Sequence, residues 1–142
     1  MALTAKEFLR RARSADRLID QATERAERIR ARLESGRMSN ITGMPRGGAQ
    51  DWTETADRLI ELERVVNARI REMCRVKRLA MDAIDQVEEA RLREVLELYY
   101  LDGFTWEQVA ERMDITPRWA QALHGQALLR VRVPKEYSGS SL

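Results

Sequence analysis

The strongest constraint on the fold is a heptad repeat near the start of the chain. The spacing alternates between four and three residues and so places one apolar seam along an α-helix. Thr4 and Glu7 form a capping-box pattern where this helix begins, and Ser35-Gly36 predicts its end. The seam consists of Phe8, Ala12, Ala15, Ile19, Ala22, Ala26, Ile29 and Leu33.

A second seam follows a segment rich in Gly, Ser and Asn. Residues 35–51 are predicted to form a loop longer than most helix–helix connections. The heptad lapses at Glu63 and Lys77, where Leu62 and Val76 are predicted to take over the seam. The seam consists of Trp52, Ala56, Leu59, Val66, Ile70, Met73, Ala80, Ile84 and Val87.

These two helices form a predicted coiled-coil arm over residues 1–88, with two alternative pairings. The helices can fold back as an antiparallel hairpin, or pair between chains. Because a lone hairpin has a thin core, the composition favours a homo-oligomer formed through the arm. The arginines on the surface of the first helix are interpreted as solvated, and contact with DNA phosphates is the alternative.

Residues 89–133 carry the signals of a helix-turn-helix, and residues 134–142 are predicted to be a flexible tail. A helix over residues 89–101 is stopped by Asp102-Gly103. Thr105 opens the next helix, and Asp114 lies in the turn, where Asp tolerates a left-handed backbone. Thr116 caps the last helix, with Pro117 at its first position. The fold class is therefore all-α, a two-helix coiled-coil arm plus a C-terminal helix-turn-helix.

The last helix is the expected reader of the DNA major groove. Arg118 has the fork geometry that guanine accepts, and Gln121 suits adenine or a phosphate. Trp119 is placed either on a sugar–phosphate strand or against the first helix of the motif, and His124 is expected to face the core. The candidate DNA-binding residues are Thr105, Thr116, Pro117, Arg118, Trp119, Gln121, Ala122, Gly125 and Arg132.

Charge is unevenly distributed along a chain whose formal net charge is only +2. Residues 87–114 hold three basic and eight acidic side chains, whereas residues 115–142 hold four basic and one acidic. A local basic segment of this kind suits nucleic acid. A basic N-terminus, a lone Cys74 and the lack of a long apolar run predict a cytoplasmic protein without a membrane span.

The segment from Gly103 to Arg132 resembles the promoter-reading fourth domain of bacterial sigma factors. The chain more closely resembles phage and prophage late-transcription regulators of the ArpU/RinA type. The shared features are the helical arm, a Met44-Pro-Arg-Gly47 element, a Thr-Trp-Glu-Gln motif from Thr105 and a Leu-His-Gly motif from Leu123. The resemblance implies sequence-specific binding of duplex DNA in late-gene control, inside a bacterial host cell. Ala120 and Ala122 depart from the family pattern, where a branched residue and a basic or amide side chain are common.

Two other functions remain open from the sequence. A small terminase-like packaging subunit also joins a helix-turn-helix to an oligomerising region, but its DNA-binding part usually comes first. A sigma-like adaptor would use the acidic segment 87–114 to bind RNA polymerase. One His, one Cys and no cluster of metal-ligating residues predict no enzyme activity, no metal and no cofactor.

Overall fold

The computed structural model describes residues 2–41 and 49–137, and within these ranges every regular element is helical. This confirms the all-α fold class. Its helices are α1 (Ala5–Ile41), α2 (Ala49–Asp85), α3 (Ala90–Leu96), α4 (Trp106–Met113) and α5 (Pro117–Leu128). A π-helical turn, Glu97–Leu101, continues α3, and a 3₁₀ turn, Lys135–Tyr137, follows α5. No helix in these ranges is long and apolar enough to cross a membrane.

Helix α1 begins as expected but continues further than the sequence suggests. The Thr4 amide donates to the Glu7 carboxylate at 2.9 Å, and the Glu7 amide donates to the Thr4 hydroxyl at 3.1 Å. The helix then passes through Gly36 to Ile41, so the predicted end at Ser35-Gly36 is wrong. The predicted loop over 35–51 is wrong at 35–41 and at 49–51, which are helical. Trp52 packs against α1 at this point, and a β-carbon on Gly36 would overlap its indole, so the close contact requires glycine here. The Met44–Gly47 element lies outside the described residues.

The chain divides into two compact units, and the first comprises residues 17–73. In this unit α1 and α2 run antiparallel, since Gly36 meets Trp52 and Arg30 lies 3.5 Å from Glu63. The hairpin alternative is therefore the one observed within the chain. Its core is small and consists of Ala22, Ile29, Leu59 and Val66, with Ala26, Leu33 and Ile70 partly buried against it.

The second heptad seam does not lapse at Glu63 as predicted. Leu62 is 50% exposed, whereas the Glu63 side chain is only 21% exposed and pairs with Arg30. An acidic side chain keeps the seam position because a cation on the facing helix meets it. Further along α2, in the other compact unit, Val76 is buried as predicted.

The other compact unit combines residues up to Asp16 with residues from Cys74 onward. The start of α1 and the end of α2 thus share a core with α3, α4 and α5, which the sequence-based division at residue 88 does not anticipate. Tyr100 and Val95 are almost wholly buried in this core. The core consists of Phe8, Leu9, Ala12, Val76, Ala80, Ala83, Ile84, Val87, Leu92, Val95, Leu96, Tyr100, Leu123 and Ala127.

The segment after α5 is docked at least as far as Tyr137, so the predicted flexible tail does not begin at residue 134. The Leu3 amide donates to the Tyr137 carbonyl at 2.8 Å. The Tyr137 ring lies 5.4 Å from the Phe8 ring, and Glu136 pairs with Arg75 at 2.9 Å. These contacts tie the chain end to the start of α1 and to α2.

Candidate nucleic-acid interface

Helices α4 and α5 form a tight helix-turn-helix. Asp114 ends α4 in the left-handed conformation, with φ of 58° and ψ of 46°. Ala110 and Ala120 are buried together with Val109, and Ile115 packs against them from the turn. Small side chains at Ala110 and Ala120 let the two helix axes approach closely, and Ala120 therefore fits here although a branched residue is common in the ArpU/RinA type.

Two threonines cap the helices of this motif. The Thr105 hydroxyl accepts from the Gln108 amide at 3.3 Å, and the Gln108 side chain accepts from the Thr105 amide at 2.9 Å. The Thr116 hydroxyl accepts from the Trp119 amide at 3.1 Å, with Pro117 at the first helical position. In each cap the hydroxyl acts as an acceptor, so its own hydrogen remains available to a phosphate oxygen. Both threonines are exposed.

One face of α5 is exposed and lined by small or polar side chains. Ala120, Leu123 and Ala127 are buried, as predicted from the helical period. Arg118, Ala122 and Gly125 lie on the opposite, exposed face, with Gln121 beside them. A β-carbon at Gly125 would meet no atom within 4 Å, so the fold does not require glycine there. Leu129, one turn further along, is 85% exposed and was missed by the sequence analysis.

Trp119 lies on one flank of this face and contacts α3. Its ring is 49% exposed, and the Arg91 guanidinium lies 5.0 Å from its centroid. The packing alternative for Trp119 thus holds in part, while half of the ring stays open to solvent. Arg91 belongs to this flank but carries no sequence signal, because only the fold brings it beside α5.

Arg132 does not lie on the α5 face. The prediction that Arg132 shares the exposed face of α5 assumed that this helix continues to residue 132. This is wrong because α5 ends at Leu128, with Leu129 as its C-cap. Arg132 instead lines a groove of about 370 Å³ with Arg130, Gln86 and Glu88. Of the nine candidate residues, the structure therefore brings seven together at α5, with Thr116 and Pro117 at its start. It places Arg132 elsewhere and Thr105 at the start of α4.

His124 faces inward on the other flank of α5. Its Nε2 is 2.5 Å from the Tyr100 hydroxyl, and its ring centroid is 4.8 Å from that of Trp106. Burial, followed by the positive charges of Lys6 and Arg10, lowers the pKa of His124 to about 4. Burial also raises the pKa of Tyr100 to about 12. Both groups are therefore uncharged at neutral pH, and His124 contributes no cation to the interface.

Comparison with known families bears on this motif alone. Residues 89–133 match the family model described as Sigma-70, region 4. This segment is similar to a DNA-binding domain of the helix-turn-helix type, as its geometry indicates. Comparison of the chain with curated proteins and with solved structures found no match.

The region 4 segment depends on residues outside the match. Phe8 and Leu9 of α1 are fully buried in the core that it shares. The Arg13 side chain donates to the carbonyl of Tyr99 at 3.0 Å and to that of Phe104 at 3.2 Å. Its guanidinium also lies 4.2 Å from the Tyr99 ring centroid. The first turns of α1 are thus a structural part of the unit that carries region 4.

The segment that leads into α3 is acidic, unlike the face of α5. Glu88 and Glu89 are exposed immediately before α3, and Glu94 is exposed within it. Carboxylates here would repel DNA phosphates, so the acidic side of the region 4 segment is unsuited to the duplex. Among the described residues, no group of three or more His, Cys, Asp or Glu side chains could hold a metal ion.

Proposed function

We propose that this protein is a transcriptional regulator that binds specific duplex DNA sequences through α5. The observation that carries the proposal is the exposed face of α5, where Arg118 and Gln121 flank the small residues Ala122 and Gly125. An α-helix enters the major groove only if its outward side chains let it approach the base edges. Arg118 forms no hydrogen bond or ion pair with any residue that the structure describes, so its guanidinium is available to guanine.

The region 4 match supports promoter DNA as the target. The resemblance of the chain to regulators of the ArpU/RinA type narrows the proposed function to late-gene control by a phage or prophage, in the cytoplasm of a bacterial host. The experiment is selection of bound sites from random duplex DNA by the full chain, followed by sequencing. Enrichment of one motif, also present upstream of late genes, is the expected result. Recovery of unenriched sequences, or no binding at low salt, would contradict the proposal.

We also propose that the protein forms a homo-oligomer through α2. Leu62 and Val65 lie one turn apart on the same side of this helix and are 50% and 55% exposed. Burying these apolar side chains against a second copy is favourable, because it removes their surface from water. Sedimentation of the full chain at micromolar concentration tests this. A ring of many subunits would instead favour the packaging function, and a monomer would contradict the oligomer.

A contact with RNA polymerase is the second candidate role for the region 4 segment. The exposed carboxylates of Glu88 and Glu94 support it, because they suit a basic protein surface and not DNA. Reversing both charges with Glu88→Lys and Glu94→Lys should abolish capture of purified RNA polymerase while DNA affinity is kept or increased. Unchanged capture would contradict this role and leave DNA binding unaffected.

A further inference from the structure

A cavity of about 310 Å³ lies beside α5 on the flank opposite Trp119. Gln121 and His124 of α5 line one side, the Trp106 and tyrosine rings line the base, and Lys6 and Arg10 of α1 line the other side. Gln121 therefore belongs both to the cavity and to the exposed edge of α5. A duplex that accepts α5 in its major groove brings one sugar–phosphate strand to this edge.

The two cations at this cavity are not neutralised by the fold. Lys6 and Arg10 are one turn apart on α1 and exposed, and neither forms a hydrogen bond or ion pair with a described residue. The neighbouring Glu7 carboxylate is held mainly by the Thr4 amide in the helix cap, which lowers its pKa, and the charges of Arg11 and Arg10 lower this pKa further by a smaller amount. The positive charge next to Gln121 is thus available to an external anion.

The turn of α1 that carries both cations is also held in a constant position. Phe8 and Leu9 lie between them in sequence and are 0% exposed, so this turn of α1 cannot rotate without breaking the core. Arg13, one turn further on, is tied to the carbonyls of Tyr99 and Phe104. The backbone positions of the two cations beside the cavity are therefore fixed, and only their side chains have to be ordered when an anion binds.

We propose that Lys6 and Arg10 bind backbone phosphates of the DNA strand that passes Gln121. This rests on the proposed binding of DNA by α5, and it extends the interface to a helix outside the region 4 match. A helix in the major groove lies between two strands. Arg91 and Trp119 then face one strand, while Lys6 and Arg10 face the other.

The test compares the wild type with Lys6→Gln/Arg10→Gln. The matched control is Arg28→Gln/Arg32→Gln, which removes two exposed cations at the same spacing further along α1. Binding is measured by fluorescence anisotropy over a range of salt concentrations, on a labelled duplex carrying the selected site and on a scrambled duplex. Thermal melts check that each variant is folded, and Lys6→Arg/Arg10→Lys, which keeps both charges, should restore binding.

Loss of two phosphate contacts should reduce the slope of log affinity against log salt by about 1.8, at about 0.9 per phosphate. If affinities converge near 1 M salt, this corresponds to about 60-fold weaker binding near 0.1 M. The loss should be equal for the selected and the scrambled duplex, because phosphates carry no sequence information. The control should keep the wild-type slope.

Three results would overturn the inference while leaving the proposed function intact. They are an unchanged slope in the Lys6/Arg10 variant, an equal loss in the Arg28/Arg32 control, and a loss confined to the selected site. An unchanged slope would show that Lys6 and Arg10 do not contact phosphates. An equal loss in the control would show that the effect follows from net charge alone, and a loss confined to the selected site would show that these side chains contact bases. If the wild type itself binds neither duplex at low salt, the proposed function fails together with this inference.

Discussion

Replacing Gly125 with alanine should affect stability and DNA binding in opposite directions. The residue lies inside α5, where glycine costs about 1 kcal/mol relative to alanine. Because a β-carbon there meets no atom within 4 Å, Gly125→Ala should raise the free energy of unfolding by about that amount. For a unit of this size the melting temperature should rise by about 4 °C.

DNA binding should weaken despite this gain in stability. If Gly125 lies against the bases, an added methyl group overpacks the interface, at a cost of about 1–3 kcal/mol. Affinity for the selected duplex should therefore fall about 5- to 150-fold at fixed salt. The assay is anisotropy on the same protein samples whose melting curves have been recorded.

The control is Gln126→Ala, which introduces the same side chain at the next, exposed position of α5. It should leave affinity within about 2-fold of the wild type, since Gln126 lies off the outward face. Wild-type affinity in a stabilised Gly125→Ala variant would refute the reasoning, because the duplex would then not approach α5 at this point. A fall in melting temperature would show instead that the fold needs this glycine.

Three further results are expected. Arg118→Ala should cost about 1–3 kcal/mol at one base position and relax sequence preference, whereas Thr105→Ala should weaken binding to all duplexes alike; titrations on single-base variants of the site would separate the two. Leu62→Glu/Val65→Glu should lower the oligomeric state in sedimentation without changing the helix content seen by circular dichroism, and an unchanged state would exclude this surface. Since burial chiefly lowers the pKa of His124 from 6.5 to about 4, the folded state binds fewer protons than the unfolded state between these values. Stability should therefore fall as the pH drops through this window, and less so in His124→Gln; the pKa itself can be followed by NMR on the only histidine of the chain.

Local signals predicted the helix-turn-helix well. The caps at Thr105 and Thr116 and the left-handed Asp114 depend on hydrogen bonds and backbone preferences within a few residues. The buried face of α5 follows from the helical period alone. Such features need no knowledge of the rest of the fold, so one sequence is sufficient to find them.

Features set by tertiary contacts were not predictable in the same way. Gly36 resembles a helix end in sequence, but in the fold it is an interior position of α1 against which Trp52 packs. In sequence, Glu63 interrupts the apolar seam. Only the fold shows that Arg30 of the facing helix pairs with it. No glycine or proline marks the end of α5 at Leu128, so the sequence-based prediction extended this helix too far, to Arg132.

The start of α1 connects stability with recognition in this protein. Fully burying Phe8 and Leu9 contributes about 1.5–3 kcal/mol each, which is a large share of the 5–15 kcal/mol typical of a folded domain. The same turns carry Lys6 and Arg10 to the cavity beside α5. A region 4 segment of 45 residues buries only a small core by itself, and here α1 and α2 supply further apolar surface. Helix α1 therefore both completes the core and carries the cations that face the flank of α5. The packing of α1 in this core sets the position of Lys6 and Arg10 relative to α5.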